Sequence, residues 1–572
     1  MSLMGALEVG KSSLAAQQAA LQVTGNNIAN AGTAGYTRQT VDMTPAGVEQ
    51  VGTNQYVGTG VNIGTIDRQT DAALEESLRQ ATSSQTSAQT LSNSLNQLEG
   101  TFGALNSNDL ASRLSTFFNN FSTLANNPQD SGQRSIVIQG GVSLASYMQS
   151  LRTSVVGQLS TADAQISTLA SQANTLTQSI ATLNTQISTA EAGGGDASSL
   201  RDQRDQSLTQ LASLINIRVV PQTDGSINVL VGNTPVIQGG MNRGISTKSG
   251  SDPTGQFPST QLTFADNGDN MQVTGGQIGA LIDARDNYRS PAVTAIDTIA
   301  SSLINTVNSI HSQGQGLAGF SSVTGATQIS DANAALNTTT IGLPSTPVNG
   351  TFNLNLTDAT TGQVTTKQIS VNLSGTGAPT TLASLAAAIT AAGGGSVSAT
   401  VTAAGQLAVT SSSSNTTFSF SDDSSGALAA LGVNTFFTGS NASNISVNQT
   451  LQSDSDYLAT GRDNIAGSNR NAQAIATAGG AVSAALGGKS ITDYYSGYIG
   501  NLAVLSKNAA DDATAQTTIQ STISAQREAI SGVDMNEEAI NLTKYQQAFN
   551  GSAHYIATVQ AMMTALLAMI AA

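Results

Sequence analysis

The chain has 572 residues, more than one hydrophobic core usually serves, so about two to four domains are expected. A formal charge of -15 without any basic run argues against a nucleic-acid partner, and the absence of Cys excludes disulfides, thiolate nucleophiles and Cys-ligated metals. Only His311 and His554 are available for imidazole chemistry, and charged residues make up just 10%, a balance that suits polar packing surfaces better than an enzyme exterior.

Met1 to Gly5 carries no basic region, which points to a chain without a cleaved signal peptide. The first thirty residues are expected to form an amphipathic helix, with Leu7, Leu14, Leu21 and Ile28 seven residues apart. Asn26 to Gly35 breaks it. Alternation over Gly58 to Ile66 predicts a hairpin. Helix is expected from Asp71 to about Phe121, closing at Asn126-Asn127-Pro128.

A second helix starts near Ser131 and carries the longest periodicity in the chain. Leu159, Ile166, Ala173, Ile180 and Ile187 form one heptad series; Val155, Ala162, Leu169, Leu176, Leu183 and Ala190 form the other. That pattern predicts a coiled-coil-type rod of roughly 50 Å at 1.5 Å per residue, ended by Gly193-Gly194-Gly195. A shorter helix follows from about Ala197 to Ile215, then strands and turns over 217–275, then helix from Gly276 to about His311. From Ser321 onward Thr, Ser, Gly and Val dominate, which predicts a β-rich insertion with one helix across Leu382 to Ala392. Tyr494 to Ile530 returns to helix, and the last forty residues form the final one. Its apolar end, Ala561 to Ala572, is too short and too interrupted by Thr564 to imply membrane insertion.

In that last helix Leu542, Phe549, Ile556, Met563 and Ile570 form one heptad series; Tyr545, Ser552, Val559 and Leu566 lie in the other. Each large apolar side chain removed from water contributes about 1.5–3 kcal/mol, so the stripe needs a partner. The N-terminal stripe is the expected one, either in an ordinary core or in a layer between subunits. The fold expected is α+β and multidomain: a terminal α-helical coiled coil, a long helical-bundle or rod domain and a β-rich inserted outer module. Its divisions are 1–60 with 530–572 for the paired terminal helices, 61–320 with 455–529 for the rod domain including the strands near 217–275, and 321–454 for the insertion.

The run Asn26-Asn27-Ile28-Ala29-Asn30-Ala31-Gly32-Thr33-Ala34-Gly35-Tyr36 resembles the N-terminal signature of the flagellar rod, hook and hook-associated protein family. Ser531 to Glu538, followed by Tyr545-Gln546-Gln547-Ala548-Phe549, resembles the same family's closing helix. Thr37-Arg38-Gln39, Leu200 to Asp205, Gly275 to Asp286, and Asn126-Asn127-Pro128 with Arg134 resemble the hook-associated members. The resemblance covers about three quarters of the chain and implies a structural, non-enzymatic subunit without cofactors. It further implies export without a cleaved signal peptide through the flagellar type III apparatus and self-assembly at the hook–filament junction outside the cell. The implied partners are copies of itself, hook protein, a second junction protein and a cytoplasmic chaperone for the C-terminal helix, with no nucleic acid. A hook or rod subunit, and an adhesin acting through the β-rich insertion, remain as alternatives.

Three motifs compete with this reading. Gly5-Ala6-Leu7-Glu8-Val9-Gly10-Lys11-Ser12 matches a nucleotide-binding loop but lacks the preceding strand. Gly314-Gln315-Gly316-Leu317-Ala318-Gly319 fits GxGxxG but follows a helix instead of a strand. Asp266 to Asn270 lacks the closing Glu of a calcium loop, and a plain turn is expected there. His311 and His554, without a second ligand nearby, are expected to have packing or solvent-facing roles.

Overall fold

The computed structural model describes residues 2–52, 55–103, 108–193, 197–462, 465 and 467–571. Helix α1 (Leu3–Asn30) begins at a Ser2 cap and leads into strands β1 (Gln39–Pro45), β2 (Val48–Gly52), β3 (Gln55–Gly58) and β4 (Val61–Arg68). Helices α2 (Ala72–Phe102), α3 (Leu110–Asn126), α4 (Ser131–Glu191) and α5 (Ser198–Leu214) follow. Then come β5 (Arg218–Pro221), β6 (Ile227–Val231), β7 (Thr234–Gln238), β8 (Met241–Asn242), β9 (Ile245–Ser251) and β10 (Pro258–Phe264). Helix α6 (Gly276–Asp283) continues through a π-helical turn, Ala284–Arg289, into α7 (Ser290–His311).

The β-rich stretch holds β11 (Ser322–Thr324), β12 (Gly350–Asp358), β13 (Val364–Val371), α8 (Leu382–Gly393), β14 (Val397–Val401), β15 (Leu407–Ser411) and β16 (Thr416–Ser421). Short elements follow: α9 (Ala427–Ala430), β17 (Phe437–Thr438), β18 (Ser446–Val447), α10 (Gln449–Ser453) and α11 (Arg470–Ala478). The chain closes with α12 (Ile491–Ser531) and α13 (Met535–Ala571).

Two compact units result: Met1–Ser94 with Ala162–Ala284 and Lys507–Ala572, and Leu95–Thr161 with Arg285–Ser506. In the first unit, the inner face of α4, including Ile166, Ala173 and Ile180, shares a core with Leu208 and Leu211 of α5 and with Val229, Val236 and Ile237. Those strand residues lie in the antiparallel sheet β5-β6-β7-β8, where β6 alternates buried and half-buried positions. Phe264 from the β9–β10 pair and Ile278 and Leu281 of α6 complete it.

In the second unit, α11 packs on α3 and α7, Phe117 and Phe121 meet Phe436 edge-on, and Phe437 lies tilted against Phe117. Sheets β11-β15-β14 and β13-β12-β16 enclose a separate apolar cluster with Leu382, Leu385 and Ile389 of α8. Thr381 and Ser384 cap α8 reciprocally, and Gly394 ends it in a left-handed conformation.

Four expectations are corrected. The helix expected over 71–121 stops at Phe102, because Gly103 takes a left-handed φ of 61° and Asp109 caps a new helix by accepting from the Ser112 N–H. Gly58 to Ile66 is no hairpin of its own. Instead β1 pairs with β4 and β2 with β3, so β4 finds its partner in β1 and not within 58–66. The helix from Gly276 to His311 contains the π turn, since Pro291 supplies no N–H to the ladder and crowds the carbonyl before it. The fourth concerns α1, whose most buried face holds Gly10, Ala16, Ala20, Val23, Thr24 and Asn27, while Leu7, Leu14, Leu21 and Ile28 are half-buried beside it. Of the expected rod terminator, Gly194 and Gly195 lie outside the described residues.

Candidate assembly site

The two ends of the chain pack against each other antiparallel. Gly10 faces Ile556 and Tyr555; a Cβ built there would lie 2.6 Å from Ile556 Cγ1. Ser13 Oγ is 2.8 Å from Ser552 Oγ, and Asn27 meets Glu538. Small residues on α1 let the backbones approach, and the larger side chains of α13 fill the space.

The C-terminal candidates therefore divide. Val559 is 1% exposed; Leu542, Tyr545, Phe549, Ile556 and Met563 are half-buried. Leu566 and Ile570 are 47% and 74% exposed, beside Leu567 and Met569. The stretch Ile491–Ile570 contains an 18-residue window of mean hydropathy 1.5 that is only 6% buried. By length and composition alone that window could cross a membrane, so bounding the apolar end at twelve residues was too narrow.

Around the N-terminal signature the polar groups are mutually satisfied. Asn27, 1% exposed, donates to Gln39 O at 2.8 Å and to Glu538 Oε2 at 3.2 Å. Its Oδ1 accepts from the Gln39 N–H at 3.0 Å and from Tyr36 Oη at 2.8 Å. All four hydrogen-bonding positions of the amide are used. Burial, reinforced by the charges of Asp202 and Glu538, pushes the Tyr36 hydroxyl up to about 12, so it stays a donor. Asn26 and Asn30 are joined through the Asn30 amide at the end of α1, while Ala29 and Gly35 are exposed.

Arg38 completes the link. It donates from Nε to Glu538 at 2.8 Å and through both terminal nitrogens to Glu537, while its backbone N–H bonds Ser531 O. The signature near residue 30 and the closing motif near residue 535 are thus two halves of one contact. Sequence reasoning placed both motifs but missed this pairing; an Arg following one motif and two Glu in the other was the available signal.

The internal segments are explained likewise. Arg68 at the ribbon base bridges Asp202 and Asp205; Arg201 pairs with Glu191; Arg204, 4% exposed, donates to Asn184 Oδ1 and Gly225 O. Arg134, fully buried, donates to Pro128 O, Ser455 O, Leu458 O and Thr460 Oγ1, which ties the Asn126-Asn127-Pro128 stop to distant chain. Gly5 to Ser12 lies wholly within α1 with Lys11 exposed, and Asp266 to Asn270 is a turn in which the Asn267 side chain accepts from the Asp269 N–H. Gln315 pairs with Gly461 in an isolated bridge, His311 is buried and His554 is exposed.

Comparison with known proteins bears on the same regions. Residues 95–327 match the family model described as the helical domain of flagellar hook-associated protein FlgK, and residues 7–37 match that of the flagella basal body rod protein. Flagellar hook-associated protein 1 of Escherichia coli (strain K12) is 26% identical across 97% of this chain and 98% of its own length. Along nearly its whole length the chain is similar to the flagellar hook-associated proteins. The protein of that name from Salmonella typhimurium gives the same identity and coverage, and the one from Bacillus subtilis is 31% identical over 37% of this chain and 43% of its own. Among solved structures, the flagellar hook junction protein FlgK from Burkholderia pseudomallei aligns with a TM-score of 0.49 and 18% identity, covering 79% of this chain and 100% of that one. The family's members are structural proteins of the flagellum, and this chain is a flagellar structural component.

Proposed function

We infer that the chain joins hook to filament, assembling through its paired N- and C-terminal helices into the inner layer of the junction. The observation that carries this reading is the end-to-end likeness to flagellar hook-associated protein 1, which spans 97% of this chain and 98% of that protein. The α1–α13 pair supports it physically: past the start of α1, the last turns of α13 carry Leu566, Leu567, Met569 and Ile570 exposed, an apolar surface that neighbouring subunits would cover. On this reading 1–60 with 530–572 form the coiled-coil assembly domain, 61–320 with 455–529 the helical domain and 321–454 the β-rich insertion. Export would proceed unfolded through the type III apparatus with a chaperone on α13, and hook protein and the second junction protein would flank the assembled copies of this chain. A hook or rod subunit is the weaker reading, since the rod-type match is confined to residues 7–37. Immunogold labelling of isolated flagella against this chain tests the proposal. A band at the hook–filament boundary is expected; label along the hook or the whole filament would overturn it.

A further inference from the structure

The apolar stripes of α1 and α13 do not specify how the two helices align. The observed pairings, Gly10 with Ile556, Ser13 with Ser552 and Asn27 with Glu538, place partners whose numbers sum to about 565. Both stripes repeat every seven residues, so sliding α13 by one heptad returns an apolar residue to nearly every place: Ile556 to that of Phe549, Met563 to that of Ile556. Burial alone would favour this slip, because it would bring Leu566 and Met569, now 47% and 81% exposed, beside the first turns of α1. Something must hold the observed register against it.

We propose that the buried polar contact of Asn27 and Arg38 with Glu538 is a register lock for the terminal helices. Glu538 is 2% exposed and is held by Asn27 Nδ2 at 3.2 Å and Arg38 Nε at 2.8 Å. A one-heptad slip would set Tyr545 opposite Asn27 and separate the Glu538 carboxylate from both donors. The slip would leave the buried Asn27 amide facing Tyr545 without its carboxylate acceptor and would take Glu538 from Arg38, whereas misaligned apolar side chains are tolerated, so the polar contact discriminates where the stripe cannot. The lock thereby keeps the last turns of α13 uncovered within one chain and open to a neighbouring subunit, a consequence that rests on the assembly reading above.

The chain contains no Cys, so introduced pairs report register cleanly. In isolated flagella, Ser13→Cys with Ser552→Cys reports the observed alignment and Ser13→Cys with Val559→Cys the slipped one, each read after oxidation as an intrachain cross-link at monomer mass. With the lock intact, the first pair should cross-link efficiently and the second only at background. Adding Asn27→Leu and Glu538→Leu, which keep the interface attractive, should raise the slipped yield at least tenfold. Where that double variant does not enter flagella, Asn27→Leu alone should raise it at least threefold, and Glu538→Gln, which retains the bond to Asn27, should preserve the observed alignment. Equal yields from both pairs with the lock intact, or a slipped yield unmoved by its removal, would overturn the proposal. Labelling away from the junction would sink the assembly role and leave the cross-link pattern unchanged, so the two failures are distinguishable.

Discussion

His311 shows how a residue that resembles chemistry in sequence can serve packing instead. It is fully buried, donates from Nδ1 to Asn434 O at 2.8 Å and accepts at Nε2 from the Ala459 N–H at 3.1 Å. Those bonds require the neutral ring with its proton on Nδ1. Burial, with the nearby Arg134 charge, pulls the imidazole down from 6.5 to about 4. Between those values the unfolded chain binds the proton and the folded one does not, so stability is complete above about 6.5 and is lost as pH falls toward 4, by on the order of 3 kcal/mol. Thermal unfolding of wild type and His311→Gln across pH 4.5–7.5 checks this. The variant should be the less stable at neutral pH, and its deficit should shrink as the pH falls; parallel curves would show that the ring does not titrate this way. Neither bond was legible in the sequence, because Asn434 and Ala459 are more than a hundred residues from His311 and contribute only backbone atoms.

At the scale of elements, legibility followed the kind of signal each segment carries. Helix α8 was bounded closely because an Ala- and Leu-rich run lies between a Thr381 cap and Gly394. The long α4 helix was also anticipated, yet its buried residues include Ala170 and Ala181 outside the heptad series, because they pack on α5 and a sheet. In α1 the heptad pattern drew attention to the large residues, whereas close approach to α13 depends on Gly10, Ala16 and Ala20, which carry little hydropathy signal. The pair these helices make is a shallow one, with Val559 alone of the predicted α13 stripe deeply buried. Helices derive most of their stability from packing, so both ends should be largely unfolded in the soluble monomer and ordered in the assembly. Hydrogen exchange should find amides of Leu3 to Ile28 and Leu542 to Ile570 fast in the monomer and slow in isolated flagella. Ile556→Asp would set a carboxylate against Gly10 at a cost of several kcal/mol unless it reaches water. That variant should be secreted but fail to join hook to filament; protected termini in the monomer, or normal motility, would return both helices to an ordinary core.

For the molecule as a whole, the open matter is how much of the β-rich region the junction needs. The apolar cluster running from Phe320 to Val433 draws on one continuous stretch, joined from outside it by Tyr457, and its chain enters and leaves side by side, with the Ala326 N–H bonded to Gly432 O at 3.1 Å. Beyond Gly432 the chain changes allegiance. Phe436 and Phe437 pack on Phe117 and Phe121, Asn434 O accepts from His311, and Asn308 donates to Phe437 O and accepts from both phenylalanine N–H groups. Composition could not reveal this, because the same Ser-, Asn- and Thr-rich texture continues through residue 447. Two deletions separate the roles. Replacing 326–431 with a short Gly/Ser linker should spare the aromatic cluster and preserve filament growth. Replacing 325–445 removes both phenylalanines from the helical core, at about 3–5 kcal/mol for each lost aromatic, and strips His311 of its acceptor. That longer deletion should lower the unfolding midpoint sharply and reduce the number of filaments formed. Equal loss of filaments from both deletions, with secretion normal, would make the β-rich cluster itself part of the junction.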